Sequence, residues 1–169
     1  PEGFFMMAES GKIDWAEHAN DGVTTMEEVI QFQEAIQSAV DFYDEHPDDT
    51  LIVVTADHST GGFTIGNGST GYETYFDLLT NQKGSQVAFQ EKVKSALETN
   101  PNISFEEFAS QITAFFGLVL DPNAPAETGT EAAVEAYKEQ QESNRLICSQ
   151  EEYQELKTAF EESKKASEE

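Results

Sequence analysis

Thr50-Leu51-Ile52-Val53-Val54-Thr55-Ala56-Asp57-His58-Ser59-Thr60-Gly61-Gly62 runs from a β-branched apolar stretch into an adjacent carboxylate and imidazole, and ends on paired glycines. Residues 50–55 have the composition of a buried strand. Open α/β sheets keep their ligand sites just past such strand ends, where consecutive side chains in a loop can turn toward a common point. Gly61 and Gly62 permit backbone conformations that bring a loop close to a ligand.

Upstream, Gly3 to Ala8 are almost continuously apolar, as expected for a strand buried on both faces of a largely parallel sheet, and Glu9 follows directly. Ile13-Asp14-Trp15-Ala16-Glu17-His18 places Asp14 and His18 four apart. On a helix they share a face and can grip one ion, and zinc accepts a carboxylate oxygen and an imidazole nitrogen together. Trp15 is expected to pack. Thr24 and Thr25, with Glu27 and Glu28 three residues on, offer two registers of capping box for a helix running to about His46. Met26, Val29, Ile30, Ile36, Val40 and Tyr43 recur along it at helical steps, and Phe32, Ala35, Ala39 and Phe42 widen the stripe. Pro47, Asp48 and Asp49 end it. Strand, helix, strand in this order predicts a right-handed parallel crossover.

After Phe63 the composition changes to a glycine-rich loop containing Gly66, Gly68 and Gly71, and then to a helical pattern. Helices are expected over 72–79, 84–98, 104–116, 128–142 and 149–167. Ser104 with Glu107, Thr128 with Glu131 and Ser149 with Glu152 are spaced as capping boxes. Asn100-Pro101-Asn102 and Asp121-Pro122-Asn123-Ala124-Pro125 supply breaks. Phe105, Phe108, Ile112, Phe115 and Phe116 form an apolar helical stripe that reads as core. No internal repeat is present.

The 169 residues suffice for one good core and an appended subdomain. A formal charge of −24 argues against nucleic acid or anionic membrane as a partner. It leaves phosphate substrates open, because bound metal ions can invert the local field. Cys148 is the single cysteine, so neither an internal disulfide nor a thiolate zinc cluster is available. The chain opens at Pro1 with neither a signal-peptide pattern nor a membrane-spanning apolar run, as expected of a mature fragment.

In combination and order, Glu9-x-Gly11-x-Ile13-Asp14-x-x-x-His18 and Thr55-Ala56-Asp57-His58-x-Thr60-Gly61-Gly62 resemble the metal-ligand half of alkaline phosphatases. The resemblance runs from about Gly3 to Phe63. It implies a partial alkaline-phosphatase-like α/β/α sandwich over residues 1–65, followed by a mainly helical insert or subdomain over 66–169. By the same resemblance Glu9 binds Mg2+, Asp14 and His18 bind one Zn2+, and Asp57 and His58 bind a second. The implied chemistry is hydrolysis of phosphate monoesters through a phosphoserine intermediate. An exported, periplasmic or cell-surface location and a homodimer are the family expectation.

Ser59 stands where many relatives have Glu, which changes a loop residue rather than a ligand. The family's nucleophilic Ser, a bridging carboxylate and a phosphate-binding Arg belong upstream of the matched region, and a further zinc His belongs downstream. His46 reads as a surface residue at a helix end, and Arg145, the sole arginine, lies in the helical part. The chain is thus read as a fragment that supplies metal ligands, lacks the nucleophile and is inactive alone. Another metal-dependent phosphotransferase of the superfamily, resembling phosphoglycerate mutase, shares the Asp-x-x-x-His and Thr-Ala-Asp-His patterns. The Thr60-Gly61-Gly62 continuation favours the phosphatase. A non-catalytic acidic interaction module with a retained phosphatase fold is the alternative from another class.

Overall fold

A computed structural model describes residues 3–64, 74–123, 135, 139 and 146–167. The chain divides into two compact units, Pro1–Phe63 and Thr64–Glu169.

The first unit is built on α1 (Gly11–His18) and α2 (Gly22–Glu45), packed against each other. Their connection is closed by backbone bonds from Asn20 to the Glu17 carbonyl at 3.0 Å and from Asp21 to the Ala16 carbonyl at 2.9 Å. Asn20 takes a left-handed φ of 53°, a conformation that asparagine tolerates better than most residues. Asp21 caps α2, accepting from the Thr24 amide at 3.2 Å and the Thr24 hydroxyl at 2.8 Å. The expected start at Thr24 or Thr25 is therefore corrected. The aspartate three residues earlier satisfies the open amides first, and Thr25 instead donates its hydroxyl to the Asp21 carbonyl. Gly22 admits the Phe63 ring, which stands 2.8 Å from where a Cβ would be. The helix ends at Glu45, with the His46 amide bonded to the Phe42 and Tyr43 carbonyls.

The expected strand, helix, strand unit is not formed among the described residues. Residues 3–9 and 51–56 have no regular secondary structure, and Phe4 to Met7, Leu51, Val53 and Val54 are exposed. A strand exists only as part of a ladder, and an apolar strand of a parallel sheet needs neighbours on both edges and cover on both faces. This unit supplies neither for these runs. The apolar stripe of α2 is open for the same reason, with Val29, Ile30, Phe42 and Tyr43 exposed. Trp15, expected to pack, is 72% exposed.

The second unit contains α3 (Phe76–Leu79), α4 (Gln86–Thr99), α5 (Phe105–Phe116), β1 (Leu118–Val119), β2 (Leu146–Ile147) and α6 (Gln150–Ser167). The stripe on α5 is its core, as its spacing requires. Phe105, Phe108 and Ile112 cluster with Leu97 of α4 and with Tyr153 and Phe160 of α6, and the Phe108 and Phe160 rings stack at 4.9 Å. Reciprocal capping boxes join Ser104 to Glu107 and Ser149 to Glu152. Helix α5 stops at Gly117, whose φ of +73° is left-handed and whose missing Cβ would strike the Asn81 side chain. The helix expected over 72–79 is limited, among the described residues, to α3. That expected over 128–142, with its Thr128–Glu131 box, lies outside the described residues apart from 135 and 139. The one parallel strand pair among the described residues is β1 with β2, in register Leu118 with Leu146. Cys148 is buried, which pushes its thiol up to about 11 with help from Glu152.

Candidate metal centre

Three residues of α1, Asp14, Glu17 and His18, share one face because they stand three and four positions apart. Asp14 Oδ2 lies 3.6 Å from His18 Nε2. In the loop after residue 56, Asp57 Oδ2 lies 3.6 Å from His58 Nε2. The sequence-adjacent pair and the helical pair thus present the same donor set, one carboxylate oxygen beside one imidazole nitrogen.

Thr60 joins the two pairs. Its hydroxyl donates to Asp14 Oδ1 and lies 3.1 Å from His58 Nδ1, and its amide donates to Glu17 Oε2 at 3.0 Å. It is 8% exposed, whereas the side chains of His18, His58 and Asp57 are largely open to solvent. The loop then turns through Gly61 and Gly62 with φ of +72° and +66°. At Gly61 a Cβ would lie 3.2 Å from the Glu17 carbonyl oxygen, so the close approach of loop to helix depends on glycine there. Four of the five expected ligands, Asp14, His18, Asp57 and His58, are brought into one neighbourhood. Glu9 is exposed beside Gly11, just before α1.

Sequence reasoning used Thr60 only as a motif residue, with no role at the site, and did not single out Glu17. Glu17 could have been found from its helical spacing to Asp14. The link from Glu17 to Thr60 spans 43 positions and has no local signature.

Two donors on one tetrahedral zinc, each at about 2.0–2.1 Å, stand about 3.3–3.4 Å apart. The 3.6 Å separation within each pair is close to that, and the donor chemistry suits zinc. Among the described residues no group of three or more His, Cys, Asp or Glu side chains converges on one point. Each pair offers two donors, where a tetrahedral zinc takes four.

A family model described as Alkaline phosphatase matches residues 1–167. The chain belongs to the alkaline phosphatase family. The match extends through the helical unit, well past the stretch whose motifs carry the resemblance. Among curated relatives, Alkaline phosphatase 4 of Bacillus subtilis is 52% identical over 67 residues, covering 38% of this chain and 14% of the relative. Repressible alkaline phosphatase of Saccharomyces cerevisiae is 35% identical over 95 residues, covering 54% of this chain and 17% of the relative. Alkaline phosphatase 4 of Drosophila melanogaster is 47% identical over 57 residues, 34% of this chain and 9% of the relative. The chain thus spans a small part of the alkaline phosphatases it matches. No solved structure matches it. Among the described residues no helix is long and apolar enough to cross a membrane.

Proposed function

We propose that this chain is the metal-ligand portion of an alkaline phosphatase that hydrolyses phosphate monoesters through a phosphoserine intermediate. In this reading Asp14 and His18 hold one zinc, Asp57 and His58 hold a second, and Glu9 contributes to a magnesium site, where an all-oxygen donor set suits the ion. Residues 1–65 belong to the α/β/α core of the enzyme, and residues 66–169 form a mainly helical insert or subdomain. The observation that supports the reading most is the joining of two carboxylate–imidazole pairs, 3.6 Å within each pair, through one threonine.

Two zinc ions a few ångströms apart would stabilise the attacking and leaving oxygens of an in-line phosphoryl displacement. What this chain itself does is orient. Helix α1 fixes Asp14 and His18 on one face, the glycine turn presses the 57–60 loop against that helix, and Thr60 sets the spacing between the pairs. The nucleophilic serine, the phosphate-binding arginine and the remaining zinc histidine are assigned to sequence outside this chain, which is inactive alone. Export to the periplasm or cell surface and assembly as a homodimer complete the proposal. The competing acidic interaction module would keep the fold without turnover.

The test is p-nitrophenyl phosphate hydrolysis with zinc and magnesium supplied, comparing this chain with the polypeptide of its complete reading frame. Turnover by the longer protein alone is the expected result. Absence of turnover in both overturns the reading in favour of the interaction module.

A further inference from the structure

Resting on this reading of the site, we infer that Thr60 is a positioning residue that fixes the tautomer of His58, holding Nδ1 protonated and leaving the Nε2 lone pair facing Asp57. The argument is a count of protons. A threonine hydroxyl has one hydrogen to give and lone pairs to receive. Thr60 Oγ1 contacts two partners, Asp14 Oδ1 and His58 Nδ1. The ionised Asp14 carboxylate can only accept, so it takes the hydroxyl proton. The oxygen of Thr60 is then an acceptor, and His58 Nδ1 must be the donor. A neutral imidazole that carries its proton on Nδ1 has an unprotonated Nε2.

That nitrogen lies 3.6 Å from Asp57 Oδ2. Two electron-pair donors facing each other at that distance can share one cation, so the pair offers both donors to a metal ion. The same hydroxyl restrains Asp14 Oδ1, leaving Oδ2 directed to His18 at 3.6 Å. One buried side chain therefore orients a ligand of each pair from the side opposite its metal-facing atom, the arrangement in which outer hydrogen bonds tune ligand basicity and direction. Glu17 holds Thr60 in place through the backbone amide, so the hydroxyl is free to serve both ligands.

The test reads the tautomer directly, by two-bond nitrogen–proton correlation spectra of the histidine rings in the metal-free chain, at a pH where imidazoles are neutral. His58 is expected as the Nδ1-protonated form. Thr60→Val, which keeps the shape and removes the hydroxyl, is expected to switch it to the Nε2-protonated form, and Thr60→Ser is expected to preserve it. Zinc affinity by chelator competition should fall about tenfold or more in Thr60→Val and stay within about twofold in Thr60→Ser. An Nε2-protonated His58 in the unaltered chain, or an unchanged tautomer in folded Thr60→Val, overturns the inference. Should Thr60→Val fail to fold, the spectrum of the unaltered chain decides alone. If His58→Ala binds zinc as tightly as the parent, the metal reading of the site falls while the threonine's hold on the tautomer, read from the spectra, stands.

Discussion

The backbone amide of Thr60 donates to the Glu17 carboxylate at 3.0 Å, which makes a helix side chain the anchor of the loop that carries Asp57 and His58. A hydrogen bond to a charged group contributes about 1.5–3 kcal/mol. Glu17→Ala should therefore release the loop without unfolding α1. The expected outcome is at least about tenfold faster hydrogen exchange at the Thr60 amide, with the α2 amides unchanged. Equal exchange in both proteins would show that the loop is held by other contacts.

Two donors per ion cannot complete a tetrahedral shell, so the isolated chain should bind zinc far more weakly than the intact enzyme. Titration against chelators of graded affinity is the measurement, and nanomolar binding by the isolated chain would contradict the ligand assignment. In the complete protein His58→Ala should abolish phosphatase activity. Undiminished turnover would remove His58 from the site.

In the helical unit Phe108 is almost fully buried and stacks on Phe160. Replacing a core phenylalanine by alanine costs about 3–5 kcal/mol. Phe108→Ala should lower the urea midpoint of helix loss markedly, while the fluorescence of Trp15, exposed in the other unit, should report little change in the folded baseline. A midpoint shift under a few tenths molar would argue that α5 is not the centre of this core.

Lys157 of α6 bonds Glu106 of α5. The hydrogen bond from Lys157 holds the Glu106 carboxyl below its ordinary 4.5, and Glu106 holds the lysine above its ordinary 10.5. The sign follows from linkage. A carboxyl with a lowered pKa adds stability that is complete above about pH 4.5 and vanishes as pH falls through the depressed value. A lysine with a raised pKa adds stability that is complete below about pH 10.5 and vanishes as pH rises through the elevated value. The difference in unfolding midpoint between the parent chain and Glu106→Gln should therefore be present at neutral pH and disappear in strong acid. A pH-independent difference would mean that the substitution acts through packing.

Legibility divided along the line between local and long-range chemistry. Ser104 with Glu107 and Ser149 with Glu152 could be read because a capping box involves residues three apart, and Phe105, Phe108 and Ile112 because helical periodicity depends on neighbours in sequence. Asp14 and His18 were legible on the same ground. The start of α2 lies three or four residues before the two registers offered by Thr24 and Thr25, because Asp21 also qualifies as a cap and the choice depends on packing. Residues 4–8 and 50–55 have strand composition, but a strand also needs a partner that composition cannot supply. The connection from Glu17 through Thr60 to Asp14 and His58 is tertiary, and spacing alone could not reveal it.

The exposed apolar runs at residues 4–7 and 51–54 have a consequence for handling the chain in solution. Short β-prone stretches left open to water are templates on which one copy can pair with another. The 33 acidic against 9 basic residues of the chain set mutual repulsion between copies against such pairing. That repulsion is conditional on ionised carboxylates and modest ionic strength. Acid or concentrated salt weakens that repulsion and turns the same two stretches into adhesive surfaces.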